Sequence, residues 1–216
     1  MSQKEMTMSE GLILDVGTAN DIKMALRRAG YTPEEVTLLK SGDNLEQYLQ
    51  VLRGEARIVP IPLLTSVTTV QVNAVERFVA SEAFNPDDIR FYLWPNFRNY
   101  FLEKVEENVP TGEFAIQRLE RSVKDDAILR ELGDKAEVVL AHFYELIKRQ
   151  PQGQEGDLLT DGRANIFYVR DAENMVWAVS AGWHSVSRKW YLNANPIDYP
   201  RSWCVGHHVI SQVSSS

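Results

Sequence analysis

Asn165–Ala194 reads NIFYVRDAENMVWAVSAGWHSVSRKWYLNA, and its period decides the fold. Apolar and aromatic residues recur at every second position through NIFYVRD, MVWAVSAGWH and RKWYLNA, which is the pleat period of a strand with two distinct faces. The breaks at Ala172–Asn174 and Ser185–Ser187 are polar and short, as hairpin turns are. After a further loop, SWCVGHHVI (202–210) supplies a fourth run of the same kind. The expectation is a four-stranded antiparallel meander closing the chain. PQGQEGDLLTDG (151–162), rich in Gly and Asp, reads as the loop that precedes it.

Upstream the period lengthens to that of a helix. Residues 19–29 place Ile22, Ala25, Leu26 and Ala29 on one face, with Gly30 as the stop. Thr32-Pro33-Glu34-Glu35 opens a second helix as a capping box with proline in the first turn. Asp43, with Glu46 three residues on, opens a third that carries Leu45, Tyr48, Leu49 and Leu52 and ends at Gly54. ARIVPIPLL (56–64) holds two prolines and suits an edge or connecting segment. TSVTTVQVNAVERFVASEAF (65–84) reads as one or two strands, with a helix over Val75–Ala83 as the alternative, and IRFYLW (89–94) as another strand. Asn96 then caps a helix with Phe97, Tyr100, Phe101 and Val105 inward. Two or three further helices are expected over 111–149. Gly133 stops one, and Asp134 with Glu137 caps the last, which aligns Ala136, Val139, Leu140, Phe143 and Ile147.

The fold class is therefore α+β: helical N-terminal and middle segments with a C-terminal antiparallel, Trp-rich β-meander. The divisions are a flexible tail (1–10), a helical subdomain (11–55), a mixed α/β middle (56–150), a loop (151–164) and the meander (165–212) packed as one unit with the middle.

The 216 residues are 44% hydrophobic and 25% charged, enough for a packed core. Net charge is −7: −2 over 1–64, −6 over 65–164 and +1 over 165–216. No segment is basic enough to hold a phosphate backbone, so nucleic acid is a poor partner. One cysteine excludes an internal disulfide and any multi-cysteine metal site. The start, MSQKEMTMSEG, lacks an apolar signal core, no stretch approaches a membrane span, and no glycosylation acceptor is present. A cytoplasmic protein without membrane contact is expected.

Several motifs invite functions that their surroundings argue against. LILDVGTAN (12–20) is similar to the first motif of S-adenosylmethionine-dependent methyltransferases. That family needs more glycine where Thr18, Ala19 and Asn20 stand, and the chain lacks a doubly wound strand–helix alternation. YTPEEVTLLKSGDNLEQYLQVLRG (31–54) resembles the helix-turn-helix of repressor-like regulators. Its reading helix would offer Asn44, Glu46, Gln47 and Gln50, with Arg53 only at its end and acidic neighbours. The pairs Asp87-Asp88 and Asp125-Asp126 read as solvated turn and helix-start acids. DLLTDG lacks the spacing of a calcium loop, and no nucleophile elbow, phosphate loop or zinc-protease helix occurs. No metal or cofactor is expected.

His142 falls on the polar side of its helix and is expected to face solvent. Trp177 and Trp183 share a strand face with Met175, Val179 and Ala181 and read as core, whereas Trp190 and Trp203 are assigned to an exposed face. In a regular strand His207 and His208 point apart, and Cys204 and His208 lie about 13 Å apart at ~3.3 Å per residue. They therefore make no joint metal site, and Gly206 marks a bulge or a close approach by another group. The candidate binding set is Trp183, His184, Trp190, Trp203 and His207; no catalytic residue is assigned.

EGDLLTDGRANIFYVRD (155–171), W-x-x-G-x-x-VIS from Trp203, and YTPEEV with YLQVLRGEA within 31–57 resemble segments of small proteins from candidate-phylum bacteria, a family without an established activity. The resemblance implies a bacterial protein of one architecture and transfers no functional residue. What remains is a non-enzymatic binding or self-assembly protein, a homo-oligomer or the partner of another protein. The alternatives are a small hydrolase or transferase using His184 or His207, and a regulator binding DNA through 31–54.

Overall fold

The computed structural model describes residues 15–41, 44–85 and 90–213. The chain divides into two compact units, residues 1–60 and 61–216. The tail expected over 1–10, the apolar stretch Leu12–Leu14, the cap expected at Asp43 and the pair Asp87-Asp88 lie outside the described residues.

In the first unit, α1 (Val16–Arg28) starts at Asp15, whose carboxylate accepts the Thr18 N–H at 2.7 Å. α2 (Pro33–Leu39) carries the complete capping box: Thr32 accepts from Glu35 N–H, and Glu35 accepts from Thr32 N–H. α3 (Asn44–Leu52) ends before Gly54, whose φ of +75° only glycine adopts freely. None of the described residues of these helices is buried. Among the described residues, caps and local hydrogen bonds rather than buried side chains define this unit.

The second unit alternates strands and helices in an order that local sequence does not dictate. In chain order it contains β1 (Leu64–Val72), β2 (Val75–Val79), α4 (Ala80–Ala83), β3 (Phe91–Leu93) and α5 (Pro95–Phe101). Then come β4 (Val105–Val109), β5 (Gly112–Leu119), α6 (Asp125–Leu132) and α7 (Leu140–Lys148). The last strands are β6 (Asn165–Arg170), β7 (Val176–His184), β8 (Lys189–Pro196) and β9 (His208–Gln212). Seven strands form one sheet in the order β1-β5-β9-β6-β7-β8-β3, and β2 pairs with β4 as a separate ribbon.

The class is α+β, with C-terminal strands as expected. β6, β7 and β8 form the meander in sequence order. The last strand departs from it. Only His208–Gln212 is strand, and it inserts between β5 and β6, parallel to β6, instead of pairing with β8. Gly206 at φ +85° breaks the extension of 202–207, and a Cβ there would lie 2.5 Å from the Arg163 guanidinium. The glycine is the close approach that its position advertises.

The helices expected over 111–149 begin later, because β5 takes Gly112–Leu119. GEFAIQRL is rich in helix formers, but flanking pairings with β1 and β9 bury Phe114, Ile116 and Leu119, and burial overrides propensity. α7 starts at Leu140 rather than at Asp134. Glu137 is held by Arg170 through two 2.6 Å hydrogen bonds. The cap comes from β4, where the Glu106 carboxylate accepts Leu140 N–H and Ala141 N–H at 3.1 and 2.7 Å. α5 likewise has Trp94, not Asn96, at its N-cap. Asn96 donates to the Ala194 carbonyl, and Val105 belongs to β4.

Both faces of the sheet bury apolar side chains. On the first, Phe114, Phe167, Val179, Trp183, Trp190 and Ile210 pack with α5 and α7 residues such as Phe97, Phe101 and Phe143. On the second, Leu119, Ile166, Tyr168, Ala178 and Val209 pack with Ile128 and Leu132 of α6. α6 covers the β5-β9-β6 part of that face. Over β7-β8-β3 the second face carries Ser180, Asn193, Asn195, Tyr191 and Tyr92 instead, and none of these five is buried. This half-covered face positions the site.

Candidate functional site

Alternation in β8 sets the floor. Trp190, Leu192 and Ala194 point into the first-face core, so Tyr191, Asn193 and Asn195 take the opposite face. Cross-strand pairing puts Ser180 beside Asn193 and Ala178 beside Asn195. The segment between β8 and β9 passes beside this floor, and its Tyr199, Arg201, Ser202, Trp203 and His207 close a cleft of about 270 Å³ against Asp125 of α6.

Asp125 is the unusual member. It opens α6 and was expected to be a solvated helix-start acid, yet it is 2% exposed. Asp126 beside it is the exposed one, paired with Arg130. Two side chains donate to the same Asp125 oxygen, Oδ1: the Tyr168 phenol at 2.7 Å and the Trp203 indole N–H at 2.7 Å. Burial holds the carboxyl above its ordinary range, and these two donors only partly offset it. The buried Tyr168 phenol is pushed up in turn, first by burial and then by the Asp125 charge.

His207 lies edge-on to Trp203, with ring centroids 5.9 Å apart. Its Nδ1 is buried without a hydrogen-bond partner. Burial, then the Arg163 charge, lowers its pKa, so the ring is held neutral. His208 opens β9 in the register row of Asn165 and Ala181. The described residues hold no group of three or more His, Cys, Asp or Glu arranged to bind a metal.

Beyond the cleft the open half-face continues as an aromatic strip. Tyr191 stacks on His184 at 4.9 Å and lies 4.7 Å from Tyr92, which meets Trp94 at 5.7 Å. His184 is committed to its turn: Nδ1 accepts from Ser187 N–H at 3.2 Å and lies 2.9 Å from the Ser187 hydroxyl.

The expected binding set therefore divides. Trp203 and His207 belong to the cleft, and His184 to the strip. Trp183 is in the core, as its strand face implied. Trp190, expected on an exposed face, is fully buried: the β7–β8 register sets it directly opposite Trp183, and cross-strand partners share a face. His142 is also buried rather than solvent-facing. Its Nε2–H donates to the Pro110 carbonyl at 2.9 Å, and its ring packs on Phe114. Burial lowers its pKa. The polar alternation of Tyr191, Asn193 and Asn195 was a readable signal for the open face. Asp125 had none, because its burial comes from Tyr168 and Trp203, 43 and 78 residues away.

Asp125 gives the site a measurable pH signature. A carboxyl whose folded pKa is raised contributes stability that is full below the unfolded pKa and is lost as pH rises through the folded value. Asp125→Asn keeps an oxygen for both donors and has no charge to bury. The variant should be more stable than wild type at pH 7 in urea titrations, and the difference should shrink as pH falls below the ordinary carboxylate range. A variant less stable than wild type at pH 7 would contradict this account of the carboxyl.

A larger groove of about 720 Å³ lies in the first unit, lined by residues including Tyr31, Leu38, Tyr48, Val51 and Ile58. It contains no buried polar group, whereas the smaller cleft is built around one. No protein-family model, curated protein or solved structure matches this chain.

Proposed function

We propose that this chain is a non-enzymatic protein that binds and self-assembles through its seven-stranded sheet. The observation that carries the reading is the open half of the second face, where His184, Tyr191, Tyr92 and Trp94 run as a partly exposed strip beside the polar cleft. Exposed aromatic side chains of this kind are enriched in protein interfaces and dominate their binding energy. β1 supports self-assembly by a second route. It is an outer strand of nine residues, LTSVTTVQV, without charge, proline or glycine. Past a bulge between Ser66 and Thr68 it runs regularly to Val72, with the Gln71 carbonyl near that end already accepting from Arg149. Such an edge is a template for another strand, and two copies related by a two-fold axis would pair identically.

The hydrolase reading has less support. Among the described residues no carboxylate hydrogen-bonds His184 or His207, so neither has the orienting partner of a general base. Size-exclusion chromatography with light scattering tests the proposal. Wild type should self-associate, and Thr69→Lys or the pair Tyr92→Lys and Trp94→Lys should return it to monomer, depending on which surface is in contact. A wild-type chain that is monomeric at every concentration would overturn self-assembly.

A further inference from the structure

The cleft beside α6 holds a carboxyl group that the fold itself does not account for. Both side-chain donors to Asp125 fall on Oδ1. A carboxamide oxygen would accept them equally well. The start of a helix favours an acid, but the net effect of the surroundings still disfavours ionisation, so that contribution does not offset burial. Among the described residues Asp125 has no cation paired with it. The like charge of Asp126 disfavours ionisation further. A desolvated carboxylate without a counter-ion is stabilised by any cation that enters beside it.

The rest of the lining fits such a cation. The Asn195 carboxamide and the Ser180 hydroxyl supply neutral acceptors from the floor, while the Asn193 oxygen beside them already accepts the Ala194 N–H at 2.9 Å. Tyr199 and Trp203 border the same space, and aromatic faces attract cations. His207 is held neutral and adds no opposing charge. Arg201, the cationic member of the lining, is solvent-exposed. At about 270 Å³ the cleft is below the range of drug-sized sites and suits a small head group.

We infer that this cleft is a binding site for a protonated primary amine, with the Asp125 carboxylate as its counter-ion. The inference rests on the reading of the open half-face as a binding surface and names its ligand chemistry. The ammonium donates to the Asp125 carboxylate and to the Asn195 and Ser180 oxygens, and leaves its substituent directed along the aromatic strip.

The Trp203 indole N–H, donated to Asp125, is the reporter. Its resonance is identified in the indole region of a ¹H–¹⁵N spectrum of the full chain as the signal lost in Trp203→Phe. The probes are n-butylammonium, n-butanol and butyrate, three groups of similar size that differ in charge. Butylammonium is expected to shift the resonance saturably, while butanol and butyrate leave it in place. Asp125→Asn should weaken the amine at least tenfold while keeping the wild-type fold and a higher urea midpoint, which separates lost binding from lost structure. An equal shift with butanol would overturn the cation assignment and leave a binding surface. No saturable shift with any of the three, or undiminished amine binding in Asp125→Asn, would overturn the site. Light scattering of the same samples reads self-assembly separately.

Discussion

Replacing Trp190 with alanine should lower the unfolding free energy by about 3–5 kcal/mol, the range for removing a large aromatic from a core. Trp190 is fully buried and meets Trp183 edge-on at 5.6 Å. Its indole N–H donates at 2.9 Å to the Gln150 carbonyl, tying β8 to the end of α7. Truncation removes the packing, opens a cavity and leaves a buried carbonyl without that donor. Trp190→Phe fills most of the space but not the hydrogen bond; the Gln150 carbonyl still accepts the Gly153 N–H, so the cost should be about 1–2 kcal/mol. Urea unfolding followed by far-UV circular dichroism measures both. A loss below about 1 kcal/mol for the alanine variant would show that the first-face core does not depend on this ring.

Asn165→Leu should cost about 2–4 kcal/mol, because it strips partners from one buried and two half-buried backbone groups at about 1–3 kcal/mol each, less than additively. The Asn165 amide donates to the Leu159 and Ala181 carbonyls and accepts the Leu159 N–H. Gln150 does the same from the other side, donating to Gln154 and Leu158 carbonyls and accepting the Leu158 N–H. Segment 151–164 has little regular structure, and these two buried amides supply the hydrogen bonds that strands or helices would otherwise provide. Leucine keeps the branched outline but is bulkier, so crowding at this fully buried position adds to the loss of the polar groups. The same urea titration, with limited proteolysis of the loop, checks it. Unchanged stability with an unchanged loop cleavage rate would refute the stapling role.

Legibility followed the range of the interaction that decides each feature. The capping box at Thr32 and Glu35 and the stops at Gly30 and Gly54 are settled within a few residues, and each stands where its residues indicate. The meander of β6, β7 and β8 was visible because pleat alternation is local. β5 was not, since GEFAIQRL is a strand only when β1 and β9 flank it. The open half-face was half legible. Alternation separates Tyr191, Asn193 and Asn195 from Trp190 and Leu192, but it does not say which set meets the core. The hairpin register decides that by setting Trp190 opposite Trp183.

By itself, then, the sequence determined the α+β class, the capping box that opens α2 and the three-stranded meander of β6, β7 and β8. Each follows from period or capping over a short span. The tertiary structure alone decided the insertion of β9 between β5 and β6, the burial of Trp190 and His142, and the cleft at Asp125. The physical reason is distance along the chain. Asp125 becomes a buried carboxyl because Tyr168 and Trp203 reach it from remote positions. Desolvation depends on what surrounds a group in space, and no local pattern records it.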